Sequence, residues 1–207
     1  MQTTWIFDLD NTLHDTNRRI FPIINKKMVQ YIHTKIGMGY NQANKLRENY
    51  WQQYGSTLRG LIRNYSIDPT NFLEETHDLP NINALIYPMK NLKKTLSGLK
   101  GRKLIYTNGP KSYVLSVLRA CRLLKYFDAV HSIEDSFFNG KPSRSSMKHF
   151  LVKNKIKRAV FIDDEVKNLK TASYYGIKTV WLNKGCKKPY YITKKIRHLD
   201  DLLNIRI

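Results

Sequence analysis

The sequence predicts an α/β protein: a parallel sheet covered by helices on both faces and interrupted early by an all-helical segment. Three observations predict it. Five short apolar runs rich in β-formers are spread along the 207 residues. Helical periodicity separates the last four of them, which indicates βαβ units. About ninety residues of different character, helical and aromatic-rich, lie between the first run and the second.

The first predicted strand is "TTWIFDLD" (3–10). The segment that follows opens with Pro22, suited to a first helical turn. Ile24, Met28, Ile32 and Ile36 then recur every fourth residue, and "GYNQANKLRENYWQQYG" continues with Ala43, Leu46, Tyr50 and Tyr54. "STLRGLIRNY" and "DPTNFLEETH" give two shorter helices, the second with Asp68 as N-cap and Pro69 in its first turn. The expected division is therefore a core of residues 1–15 and 86–207 with a helical cap over 16–85.

The remaining strands are "RKLIYTNG" (102–109), "DAVHSIED" (128–135), "RAVFIDDE" (158–165) and "IKTVWLN" (177–183). Between them, Val114, Leu118 and Cys121 share one helical face, as do Met147, Phe150 and Leu151, and then Val166, Leu169 and Ser173. Gly176 is placed to end the last of these helices. The tail from Cys186 reads as a loop and a final short helix.

Composition narrows the function. Apolar residues make up 42% of the chain, enough for a sizeable core, and no apolar run approaches the length of a membrane span. The beginning "MQTTWIFDLD" carries no secretory pattern, which points to the cytoplasm. Cys121 and Cys186 are the only cysteines, too few and too far apart for a disulfide framework or a zinc site. The net charge of +20 admits a nucleic-acid partner. Its lysines are scattered, with no arginine-rich arm, so solvated surfaces that draw in anionic substrates are the favoured reading.

In a parallel sheet of this kind ligands bind beyond the carboxyl ends of the strands. Those ends carry Asp8 and Asp10, Thr107 and Asn108, Asp163 and Asp164, with Lys141 in the loop after the third strand. Four carboxylates on one rim repel one another unless a cation sits among them, and all-oxygen ligation favours Mg²⁺. Thr107, Asn108 and Lys141 supply hydroxyl, amide and ammonium donors for phosphate oxygens. Asp8 is then the nucleophile that takes up a phosphoryl group, and Asp10 the general acid/base. Asn11 and Thr12 make the turn, and Asn168, one helical turn after Asp164, is placed to support the acidic pair. His14 is set aside, since a lone histidine is more often a packing or surface residue. Tyr50, Trp51, Tyr54 and Arg59 could contact a substrate, but aromatics at helical spacing are more often core.

In this order "DLDNTL", "YTNG", "GKPS" and "FIDDEVKN" resemble the four motifs of the haloacid dehalogenase superfamily of phosphohydrolases. The resemblance implies a Rossmann-like core with a cap of the first (C1) type, Mg²⁺ dependence, and an Asp10 main-chain carbonyl on the metal. It also implies direct ligation by Asp164, with Asp163 binding directly or through water. The stretch 48–80, with "YWQQYGSTLRGL" followed by an acidic helix and "LP", resembles the cap of the pyrimidine 5′-nucleotidase group. That implies hydrolysis of nucleoside 5′-monophosphates. A phosphatase for sugar phosphates or phosphoglycolate, and a basic nucleic-acid-binding protein on a phosphatase fold, are the alternatives.

Overall fold

A computed structural model describes residues 3–183, 185 and 187–205. Cys186, where the predicted tail begins, lies outside the described residues. Six parallel strands form one sheet in the order β3-β2-β1-β4-β5-β6: β1 Thr4–Phe7, β2 Lys103–Tyr106, β3 Ala129–His131, β4 Ala159–Asp163, β5 Lys178–Leu182 and β6 Lys194–Ile196. Phe7 pairs with Ile105 on one side and Ile162 on the other, so β1 is central and its end meets the ends of β2 and β4.

Strand alternation sorts the core into two layers. Phe7, Ile105, Ile162 and Val180 face one side, where α6 (Leu92–Gly98) and α7 (Lys111–Ala120) add Leu96, Val114, Val117 and Leu118. Ile6, Leu104, Tyr106 and Phe161 face the other, against Met147 and Phe150 of α8 (Arg144–Lys153) and Leu169 and Ala172 of α9 (Val166–Tyr174). Each fully buried Phe or Leu contributes about 1.5–3 kcal/mol, which is why a strand of four or five residues suffices. Gly176, just past α9, has φ +70, the left-handed geometry expected of a helix-ending glycine.

Between β1 and β2 run α1 (Ile20–Ile36), α2 (Tyr40–Tyr54), α3 (Thr57–Asn64), α4 (Pro69–His77) and the single turn α5 (Ile82–Leu85). Ser56 caps α3 by accepting from Arg59 N–H, and Asp68 caps α4 by accepting from Thr70 N–H with Pro69 in the first turn. Val29, Ile32, Ala43, Leu58, Leu61 and Phe72 give these helices an apolar cluster of their own. Two residues of the β3–α8 connection, Ile133 and Phe138, pack into that same cluster. Trp51 stays half exposed, and Tyr50 lies against Gly60 and Tyr54.

Some elements differ from expectation. The first strand stops at Phe7, so Asp8, Leu9 and Asp10 lie in the following loop and strand alternation does not set their direction. The third strand spans three residues, and Glu134–Ser136 form a 3-10 turn. The tail holds the edge strand β6 before its 3-10 helix, Leu199–Asn204. The helix α6 was not anticipated either, although Leu92, Leu96 and Leu99 carry its spacing. Among the described residues no helix is long and apolar enough to cross a membrane.

Candidate active site

Asp8 follows β1 and hydrogen-bonds back to the sheet, its N–H donating to Ile162 O (2.9 Å). That bond fixes the carboxyl beside the end of β4, where Asp163 and Asp164 emerge. Oxygens of Asp8, Asp163 and Asp164 all lie within 4.8 Å of one another. Lys141 reaches into the group: its Nζ donates to Asp8 Oδ1 (2.6 Å) and to Asp163 Oδ2 (2.8 Å), all three side chains being buried. The rings of Tyr106 and Phe161 flank the ammonium at 5.7 and 5.5 Å. Asn168 Nδ2 donates to both oxygens of Asp163 (3.1 and 3.0 Å), and Glu165 N–H donates to Asp163 Oδ1 (2.8 Å).

One ammonium faces three carboxyl groups, and the ionisation of the cluster reflects the imbalance. Burial pushes Asp8 up to about 7, with Lys141 pulling it down and Asp163 and Asp10 raising it further. Burial raises Asp164 to about 9, with Asp8 and Asp163 adding to the shift. Lys141 is raised: burial alone would lower it, but the two aspartates outweigh burial. Buried, hard oxygen donors short of positive charge fit a small divalent cation. The donor chemistry therefore suits Mg²⁺ held by Asp8 and Asp164, with Asp163 alongside.

Asp10 sits apart from this cluster. Its Oδ1 accepts from Tyr113 Oη (2.6 Å), from Thr16 Oγ1 (3.2 Å) and from His14 Nε2 (3.2 Å). His14 Nδ1 is buried with no partner, which places the ring hydrogen that reaches Asp10 on Nε2. Burial would raise the Asp10 carboxyl, but the bonds from His14 and Tyr113 bring it below the ordinary value. Burial, then Asp10, pushes the Tyr113 hydroxyl well up, so it keeps its proton and donates. The loop is shaped by Asn11, left-handed at φ +59, whose Oδ1 accepts from Thr16 and Asn17 N–H. His77 of α4 meets the Tyr113 ring at 5.6 Å, and burial lowers it to about 4. A cavity of about 340 Å³ opens beside this pair, bordered by Leu73 and Glu74 of α4 and Ser112 and Ser116 of α7.

The structure thus brings together Asp8, Lys141, Asp163, Asp164 and Asn168. Thr107 is buried at the end of β2, its Oγ1 accepting from Gly109 N–H (3.0 Å). Asn108 differs from the expected phosphate donor. Its Oδ1 accepts from Lys141 N–H (2.7 Å) and its Nδ2 donates to Lys141 O (2.9 Å), so the side chain clamps the lysine's main chain. Sequence reasoning missed Tyr113 and His77, and set aside His14, which is fully buried against Asp10. The only available signal was that a buried carboxylate needs donors and His14 stands one helical turn after it.

The fold and this rim define a parallel-sheet α/β protein with a buried carboxylate cluster at the carboxyl end of its sheet. The family model for haloacid dehalogenase-like hydrolases matches residues 5–182, and the chain belongs to that family. It is 24% identical over 198 residues to phosphate metabolism protein 8 of Saccharomyces cerevisiae, covering 84% of this chain and 59% of the relative's length. A phosphatase of the same family from Thermococcus onnurineus superposes with a TM-score of 0.67 at 21% identity, over 99% of this chain and 97% of the other. A haloacid dehalogenase-like hydrolase from Bacteroides fragilis gives 0.69 at 21% identity, over 98% and 100%. At these identities the structural likeness carries the fold.

Proposed function

We propose that this hydrolase is a Mg²⁺-dependent phosphomonoesterase acting through an aspartyl-phosphate, with nucleoside 5′-monophosphates as its substrates. The observation that carries the reading is the buried Asp8 carboxylate, tied to Lys141 and grouped with Asp163 and Asp164. Asp8 sits among carboxyl oxygens that suit a cation, and Asp10 is held two residues away by hydrogen-bond donors. The yeast relative, named for phosphate metabolism, agrees with the reaction class.

An Asp8 oxygen attacks phosphorus as the ester P–O bond breaks, and Asp10 gives the leaving oxygen its proton. Water then attacks the phosphoryl group, Asp10 takes the proton, and the P–O bond to Asp8 breaks to release phosphate. Lys141 neutralises charge on the phosphoryl oxygens, and the Thr107 hydroxyl donates to them. When bound at Asp8, Asp164, Asp163 and the Asp10 carbonyl, Mg²⁺ supplies further charge neutralisation and orients the phosphate. Asn108 holds the Lys141 main chain, and Asn168 holds Asp163.

Residues 16–85 act as the cap over this rim. Its resemblance to pyrimidine 5′-nucleotidase caps over 48–80 supports a nucleoside as leaving group. The cavity beside Tyr113 and His77 offers that group room of the right order. The test is a panel of nucleotides and sugar phosphates assayed for kcat/KM with and without Mg²⁺. Pyrimidine monophosphates are expected to lead by at least about tenfold. A panel led by sugar phosphates or phosphoglycolate would overturn the substrate assignment and leave the phosphatase, whereas no metal-dependent phosphate release from any ester would overturn both.

A further inference from the structure

We propose that Tyr113 is a positioning residue for Asp10, fixing which carboxyl oxygen exchanges the proton with water when the aspartyl-phosphate is hydrolysed. The proposal rests on the phosphomonoesterase reading above. Three donors from two places in the chain converge on Oδ1: Tyr113 from α7, Thr16 and His14 from the loop after β1. The Tyr113 bond is the shortest at 2.6 Å, and it spans 103 residues of sequence. An oxygen that already accepts three hydrogen bonds has little remaining capacity to take a proton. Asp10 must therefore do its chemistry through Oδ2, and the three donors set where Oδ2 points. Tyr113 dominates that setting because its ring is rigid and buried, packed in the core layer with Val114 and Val117 and met edge-on by His77.

The consequence concerns the second half of the reaction. An Asp10 that has lost the Tyr113 anchor can rotate and abstracts the water proton less well. Attack by Asp8 on p-nitrophenyl phosphate is spared, since p-nitrophenolate leaves without protonation. The aspartyl-phosphate is then expected to accumulate.

The experiment is stopped-flow release of p-nitrophenolate by the full chain with Mg²⁺, comparing wild type with Tyr113→Phe. The substitution keeps the ring and removes one hydroxyl. Steady-state kcat is expected to fall about tenfold, in line with a hydrogen bond to a charged group. A burst approaching one p-nitrophenolate per enzyme, larger than wild type's, is expected to precede it. Thr16→Val, which removes a second donor from the same oxygen, is expected to give the same burst with a smaller fall. Wild-type kcat in Tyr113→Phe, or a fall without a burst, overturns the proposal. Loss of packing alone would slow both half-reactions and produce no burst. A wild-type protein without metal-dependent turnover of any phosphomonoester overturns instead the reading on which this rests.

Discussion

Asp8 and Asp10 are two residues apart, yet their surroundings act in opposite directions. Around Asp8, burial strains the ionised form, and although Lys141 pulls it down, Asp163 and Asp10 add to the rise to about 7. Around Asp10, donors outnumber acceptors and the ionised form is favoured, lowering it below the ordinary value. The partners on the Asp8 side come from the ends of β4 and the β3–α8 loop. Those on the Asp10 side come from its own loop and α7. The two carboxyls are thus set in unlike surroundings, Asp8 by segments more than a hundred residues away and Asp10 by its own loop together with α7.

The sharpest way to break this comparison is to remove each carboxylate in turn. Asp8→Asn is expected to lower kcat by about 10⁴-fold or more and to leave no phosphorylated protein by intact mass. Asp10→Asn is expected to cost about 10²–10⁴-fold but to trap phosphate on Asp8 when an activated aryl ester is supplied. Identical outcomes for the two variants would erase the distinction.

Next in size is Lys141. Lys141→Ala is expected to lower kcat about 10²–10³-fold and to destabilise the fold by about 3–5 kcal/mol, because it strands buried Asp8 and Asp163. Mg²⁺ is expected to raise the Tm of this variant by more than it raises wild type's, since it would replace the missing positive charge. An equal Mg²⁺ response in both would mean that Lys141 and the cation do not share one electrostatic deficit. Asn108→Ala, which unclamps the Lys141 main chain, is expected to cost about tenfold in kcat/KM. Thr107→Val is expected to raise KM for phosphate esters by a similar factor with little change in Tm.

An effect on stability alone lies behind the Asp8 side, where His131, Ser136, Ser146 and Tyr106 form a buried chain of hydrogen bonds. Burial lowers His131 to about 4. The unfolded chain, with an ordinary histidine near 6.5, then binds more protons than the folded one between those values. Its contribution leaves stability intact above about pH 6.5 and removes on the order of 2 kcal/mol as pH falls toward 4. His131→Gln is expected to flatten that loss in urea titrations at pH 7.5 and 5. An unchanged slope would show that other groups, such as the buried His77, govern it.

The fold was legible because alternation and helical spacing report which face each residue buries, as at Phe7, Ile105 and Phe150. That Asp8, Asp163 and Asp164 meet was legible because parallel strands deliver their carboxyl ends to one rim. What escaped is what depends on contact rather than pattern. The edge strand β6, "KKI", is short and basic, as edge strands commonly are, and carries too little β signal to stand out. Tyr113 sits at a helical spacing that reads as core, and it is core; only the third dimension shows its hydroxyl on Asp10. The Asn108 amide was read as a ligand for phosphate because its chemistry suits one, and it suits a peptide group equally well.

Ile133 and Phe138 belong to the stretch that carries Lys141, yet their side chains are lodged among α1–α4. Any swing of those helices away from the sheet must either pull the two residues out into water or drag the lysine's loop along. On the proposed reading, a cap that opened to let product go would shift the Lys141 segment in the same motion.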